Sequence, residues 1–171
     1  MISIRPERPD DAAAVRTVNE MAFGQAQEAD IVGAIRRACP DAVSLVADSG
    51  GQLVGHILFS PVTLAGADGN VIGMAPAPMA VLPDHQRRGI GSRLVEAGLD
   101  ILRRRKCPFA IVLGHPGFYP RFGFVPASRH GLRCQWEGVP DEAFMVLVFD
   151  AAPLSGVSGV VRYRDEFNAA M

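Results

Sequence analysis

The sequence predicts a single mixed α/β domain, a sheet with several helices, on three observations. The chain has 171 residues, close to the roughly 150 expected of one domain. Its 49% hydrophobic and 20% charged residues supply one real core, and a chain of this size can bury about 70% of the surface it exposes when unfolded. Helical and strand periodicities alternate from end to end, with no fixed-period repeat, low-complexity tract or Pro/Ser-rich linker.

Ile2 and Ile4 alternate with Ser3 and Arg5 as a first strand. Pro9-Asp10-Asp11 offers capping carboxylates before Ala12, Val15, Val18 and Ala22 recur at helical spacing. Ile31, Ala34, Ile35 and Ala38 form a second helical stripe that Pro40 stops. Val43 to Ala47 and Leu53 to Phe59 flank Ser49-Gly50-Gly51-Gln52 as an antiparallel hairpin. Pro61, which has no N–H for a ladder, interrupts the strand pattern, and Gly66-Ala67-Asp68-Gly69-Asn70 marks another turn before the apolar run from Met74 to Leu82. Leu94, Val95, Gly98, Leu99 and Leu102 stripe one helix face, and Phe109 to Leu113 reads as a buried strand, which completes a strand-helix-strand unit. A short aromatic helix or turn from Phe118 to Phe122 precedes Gly123-Phe124-Val125, and Phe144 to Phe149 supplies a late strand.

Charge and cysteine usage narrow the function classes. Seventeen Lys and Arg against eighteen Asp and Glu leave a net charge of -1, so no overall attraction to polyanions exists and no nucleic-acid partner is expected. The basic run from Arg103 to Lys106 ends a helix, where cations complement the negative end of the dipole. Cys39, Cys107 and Cys134 are odd in number and lack Cys-x-x-Cys spacing, against both a disulfide framework and a structural zinc site. No window approaches about 18 uninterrupted apolar residues, and the first residues lack a signal-peptide core. The expectation is a cytoplasmic protein in a reducing compartment, with no membrane partner and no metal.

The chemistry concentrates in Met79-Ala80-Val81-Leu82-Pro83-Asp84-His85-Gln86-Arg87-Arg88-Gly89-Ile90-Gly91-Ser92. A strand breaks at proline, crosses a basic glycine-containing loop and starts a helix. N–H groups at a helix N-terminus have no intrahelical partner and sit at the positive dipole end, so an anion such as a phosphate satisfies them. Gly89 and Gly91 permit close approach, and Arg87 and Arg88 add charge at the mouth. A dinucleotide fingerprint requires a third glycine where Leu94 stands, and the Gly-Lys-Ser/Thr of a P-loop is absent.

Gln86-Arg87-Arg88-Gly89-Ile90-Gly91 resembles the Gln/Arg-x-x-Gly-x-Gly/Ala signature of the GNAT superfamily of acyl-CoA-dependent N-acetyltransferases. A second, independent match is Gly114-His115-Pro116-Gly117-Phe118-Tyr119-Pro120-Arg121-Phe122-Gly123-Phe124, similar to that family's later aromatic motif, with Tyr119 four positions before the glycine of Gly-Phe. Phe23 to Arg37, Val54-Gly55-His56-Ile57 and Gly156 to Phe167 extend the likeness to a bacterial branch of the family over nearly the whole chain.

The resemblance implies a largely antiparallel sheet with splayed central strands and flanking helices, over one domain spanning residues 1–171. It implies acetyl-CoA as cosubstrate, its pantetheine arm lying like an added strand along Met79, Ala80 and Val81 and its pyrophosphate on the loop of Gln86, Arg87, Arg88, Gly89, Ile90, Gly91 and Ser92. The backbone N–H near Val81 would stabilise an oxyanion, and Tyr119 would be the general acid that protonates the departing thiolate. Glu28, His56 and His85 are titratable, but Glu28 reads as a solvated helix carboxylate, His56 as a core-strand histidine and His85 as a loop residue, so no general base is assigned. His115 stands where the family often carries asparagine, a departure in the local cofactor contacts. Phe109, Phe118, Phe122 and Phe124 read as core, whereas Trp136 reads equally as an acceptor-pocket wall or an isolated surface aromatic.

The function implied is direct transfer of an acetyl group to a primary amine of a small molecule or peptide, the alternative being a non-catalytic acyl-CoA-binding or sensing module. The partner is that amine-bearing acceptor, and a homodimer is admitted.

Overall fold

In the computed structural model, which describes residues 1–171, contacts gather into two compact units. The first comprises Met1–Ser60, Pro76–Asp100 and Glu166–Ala170, and the second Pro61–Ala75, Ile101–Asp165 and Met171.

The first unit begins with β1 (Ile2–Pro6), α1 (Ala12–Phe23), α2 (Gln27–Ala38) and β2 (Val43–Ser49). β1 pairs antiparallel with β2 from Ile2↔Ser49 to Pro6↔Leu45. β2 pairs antiparallel with β3 (Gln52–Gly66) from Val43↔Phe59 to Ser49↔Gln52, with a register shift between Ala47 and Asp48. That shift sits at the hairpin end, where the Asp48 carboxylate accepts the Gly51 N–H at 2.7 Å and Arg5 Nε at 3.1 Å. α1 buries Val15, Val18 and Asn19, and α2 buries Ala29, Ile31, Val32 and Ile35; of the two stripes that helical period predicts, Val15, Val18, Ile31 and Ile35 are buried, Ala12, Ala22 and Ala34 half-buried, and Ala38 exposed at the end of α2. The end of β4 (Gly69–Val81) and most of α3 (Ile90–Arg104) complete the unit, with Leu94, Val95 and Leu99 at most 2% exposed.

Two sequence expectations are corrected. Asp11 makes no side-chain cap on α1. Its carboxylate accepts two hydrogen bonds from Arg5, at 2.7 and 3.1 Å, and one from the Arg8 N–H at 2.7 Å, so it closes the preceding 3-10 turn instead. Pro61 does not interrupt β3, which runs on to Gly66. On one edge of β3 the ladder with β2 ends at Phe59 and the ladder with β9 (Gly159–Arg162) begins at Thr63, so on that edge the proline falls between two pairings, where a missing N–H costs least.

The second unit holds the start of β4, β5 (Phe109–Leu113), β6 (Val125–Pro126), β7 (Leu132–Cys134) and β8 (Phe144–Val148). β5 pairs antiparallel with β8, which pairs with β6 on its other side. The parallel pairing of β4 with β5 consists of Met74↔Ala110, and β7 lies parallel to β9. All other pairs described are antiparallel, so the mixed, mostly antiparallel sheet with flanking helices is as expected.

A polar chain crosses the core of the first unit. His56 and Asn19 are both 0% exposed. Asn19 Nδ2 donates to the Val15 carbonyl at 3.0 Å and to His56 Nδ1 at 3.1 Å, which sets the imidazole as the Nε2–H tautomer. Nε2–H then donates to Ser44 Oγ at 2.8 Å, Ser44 donates to Glu7 Oε2 at 2.5 Å, and Arg36 pairs with the other Glu7 oxygen. Burial first, then the Arg36 charge, pushes His56 from an ordinary 6.5 down to about 3. A depressed folded-state pKa gives stability that is present above about pH 6.5 and lost as pH falls toward 3. We expect the free energy of unfolding, from denaturant titration, to drop across that window by an amount on the order of a few kcal/mol. A folded His56→Gln variant should show a much flatter dependence, and an equally steep one would assign the acid sensitivity to carboxylates alone.

Candidate active site

β4 ends at Val81, a 3-10 turn spans Pro83–His85, and α3 starts at Ile90. Leu82 N–H donates to the Val54 carbonyl at 2.9 Å, so the strand is held to β3 one residue beyond its end. Gln86 Nε2 reaches back to the Val81 carbonyl at 3.0 Å and staples the loop to the strand it leaves. Arg87 has φ +62° and Gly89 has φ +80°. A left-handed arginine costs of order 1 kcal/mol or more, whereas glycine adopts that region freely.

Those two reversals aim the chain into α3. Arg93 N–H donates to the Gly89 carbonyl at 3.1 Å, which makes Gly89 the residue before the first helical turn. The N–H groups of Ile90, Gly91 and Ser92 are therefore the ones that α3 leaves without a helical acceptor. Gln86, Arg87, Arg88 and Gly89 are exposed, Gly91 and Ser92 are half-buried, and Ile90 is 3% exposed and anchors the turn. A Cβ at Gly89 would meet nothing within 4 Å, so open space lies beside the loop backbone. Met79 and Val81 are half-buried, with Ala80 between them 2% exposed. All ten sequence-predicted cofactor residues thus belong to one continuous strand-turn-helix segment of the first unit.

Tyr119 belongs to the second unit. His115 turns the chain after β5, its carbonyl accepting from the Phe118 N–H at 3.0 Å and the Tyr119 N–H at 3.4 Å. A 3-10 turn over Tyr119–Phe122 follows and closes at Gly123, whose φ of +99° only glycine adopts cheaply. The Tyr119 ring is 7% exposed and meets Phe118 edge-on at 5.0 Å and Phe124 at 5.7 Å. Burial pushes its phenol from 10 up to about 12, so the hydroxyl keeps its proton throughout the neutral range. Phe109 and Phe124 are core as expected, at 0% and 2% exposed, while Phe118 and Phe122 are half-buried around Tyr119.

Of the other titratable candidates, Glu28 accepts two hydrogen bonds from the Gln25 amide on the surface, and His56 is committed to the buried chain. His85 occupies the 3-10 turn after β4, with its Nδ1 buried and unpartnered. Trp136 is not an isolated surface aromatic: its ring packs on Tyr163 at 5.0 Å, and the Tyr163 N–H donates to the neighbouring Gln135 Oε1 at 2.5 Å. Helical or strand period carried no signal for that cluster, because Gln135, Trp136 and Tyr163 lie in neither a helix nor a strand.

Residues 3–127 match the model of the acetyltransferase (GNAT) domain. Over 166 residues the chain is 38% identical to the uncharacterized N-acetyltransferase YhbS of Escherichia coli strain K12, covering 96% of this chain and 98% of that protein. The crystal structure of E. coli YhbS in complex with CoA matches with a TM-score of 0.88 at 35% identity, over 98% of this chain and 92% of that one. A GNAT family acetyltransferase from Brucella melitensis in complex with acetyl-CoA matches with a TM-score of 0.79 at 36% identity, over 98% of both chains. A family model covering well over half of the chain, and a relative matched along nearly its full length, establish that this chain belongs to the GNAT family of acetyltransferases.

Proposed function

We propose that this chain transfers an acetyl group from acetyl-CoA directly to a primary amine of a small molecule or peptide. The observation that carries the proposal is the start of α3, where left-handed Arg87 and Gly89 lead, after two exposed arginines, into three N–H groups without a helical acceptor. Such a site fits a pyrophosphate, and the CoA and acetyl-CoA complexes of the E. coli and B. melitensis proteins support that ligand.

Acetyl-CoA supplies the thioester carbonyl that the amine attacks. Arg87, Arg88 and the N–H groups of Ile90, Gly91 and Ser92 bind the pyrophosphate, and the backbone from Met79 to Val81 hydrogen-bonds the pantetheine amides. The N–H near Val81 meets the negative charge that develops on the carbonyl oxygen. As the carbon–nitrogen bond forms and the carbon–sulfur bond breaks, Tyr119 gives its hydroxyl proton to the sulfur, the nitrogen sheds one to solvent, and the phenolate takes one back from solvent. With its phenol pushed up to about 12 by burial, Tyr119 stays in the donor form across the neutral range and past pH 10. Free amine, rather than Tyr119, then limits the rate on the acid side.

Thiol release from acetyl-CoA, with mass spectrometry of the products across a panel of small amines and peptides, tests the proposal. Acetylation of one acceptor class is the expected result. Acetyl-CoA binding with no thiol release from any amine would make the chain an acyl-CoA-binding module instead. Arg88→Glu should weaken CoA binding by about 10- to 100-fold, the worth of one charge-assisted contact, with an unchanged melting temperature because Arg88 is exposed. Calorimetric titration at moderate salt checks this, and an unaltered affinity removes Arg88 from the site.

A further inference from the structure

Gly114 follows the last residue of β5, and its N–H donates to the Ala143 carbonyl at 2.9 Å, so its backbone is fixed from both sides. A Cβ built on Gly114 falls 2.4 Å from Tyr119 Cε2, 2.9 Å from Cδ2 and 3.4 Å from Cζ, the carbon that bears the hydroxyl. The tyrosine ring therefore lies directly on the Gly114 Cα along the edge that leads to its oxygen. Phe118 and Phe124 close other sides at 5.0 and 5.7 Å, and Phe124 is itself 2% exposed, so the ring has little room to retreat.

We propose that Gly114 is a positioning residue: the absence of its side chain sets where the Tyr119 hydroxyl stands and hence where its proton is delivered. The proposal rests on the reading of Tyr119 as the general acid. An ordinary carbon–carbon contact is at least about 3.5 Å, against 2.4 Å here, so an alanine at this position must push the ring by roughly 1 Å. A misplacement of about 1 Å near reacting atoms can cost up to 10²-fold in rate. Cofactor affinity should not follow, because the anion-binding segment lies elsewhere in the sequence.

The experiment is a double-mutant cycle of Gly114→Ala and Tyr119→Phe, read as the single-turnover rate with acetyl-CoA and whichever panel amine gives the fastest thiol release. Gly114→Ala alone should slow the chemical step by about 10- to 10²-fold with acetyl-CoA affinity within about twofold of the parent. In the Tyr119→Phe background the same change should have almost no further effect, since no proton is left to misplace. An independent reading is available because the chain has only 2 tyrosines. In ring-labelled protein, Gly114→Ala should shift the Tyr119 NMR signal.

A full-sized Gly114→Ala effect in the Tyr119→Phe background, or an unmoved Tyr119 signal in the folded variant, overturns the positioning role while leaving the acid assignment standing. An unchanged rate in Tyr119→Phe alone overturns the acid assignment, and the positioning role with it. If Gly114→Ala does not fold, adding Tyr119→Leu should restore folding by removing the ring edge. Failure of that rescue also overturns the proposal.

Discussion

Tyr119→Phe is expected to lower the rate of acetyl transfer by roughly 10²- to 10⁴-fold, the range of a positioned general acid, which corresponds to about 2.7 to 5.5 kcal/mol of transition-state stabilisation. The substitution keeps the ring, its edge contacts with Phe118 and Phe124 and its seat on Gly114, and removes only the proton donor. Acetyl-CoA affinity should therefore change little, and kcat and kcat/KM should fall together, the pattern of an interaction made only in the transition state. Single-turnover measurement is required, so that slow product release does not mask the chemical step. The wild-type chemical rate should also show no alkaline limb near pH 10, where an exposed tyrosine ionises, because burial holds Tyr119 at about 12. A normal rate in the Phe variant would leave the thiolate to be protonated by solvent.

The second large effect concerns Gly98, in the middle of α3. A Cβ there would lie 2.0 Å from Phe59 Cε1 and 2.3 Å from Cζ, and Phe59 is 0% exposed. Two effects oppose each other in Gly98→Ala: helix propensity favours alanine by about 1 kcal/mol, and overpacking costs typically 1 to 3 kcal/mol. The close approach should win. The alanine variant is expected to be less stable than the parent, and Gly98→Val should lose about 3 kcal/mol or more. Denaturant titration measures both, and Phe59→Leu should recover part of the loss by giving up the atoms in conflict. An alanine variant at least as stable as the parent would show that the Phe59 ring yields. Because α3 carries the Ile90, Gly91 and Ser92 N–H groups at its start, a displaced helix should also bind CoA more weakly.

Much of the fold was legible because it is local. Alternation over Ile2 to Arg5, the Gly50-Gly51 turn and the stripe on α3 each depend on a few consecutive residues, and the structure contains each of them. Residues with short-range jobs could still mislead: Asp11 is a good helix cap by type, but Arg5 and the Arg8 N–H claim its carboxylate. Pro61 looked like a break because a ladder proline usually is one, and only the places where the partner strands stop and start make it harmless.

The same division runs through the candidate site. The proposed anion-binding segment was readable because Met79 to Ser92 is one stretch of chain, and a basic, glycine-containing turn before a helix has the same electrostatics in any fold. Tyr119 was identified through a family motif, not through period or charge. What the sequence by itself determined is the order of elements, the family, and the basic, glycine-containing loop between a strand and a helix. What only the tertiary structure decided are the pairings across long separations: Gly98 against Phe59, His56 between Asn19 and Ser44, and the tuning of Tyr119 by burial. The physical reason is that a glycine, a histidine or a tyrosine has no packing partner, and so no clash, relay or shifted pKa, until the chain brings distant residues to within a few ångströms.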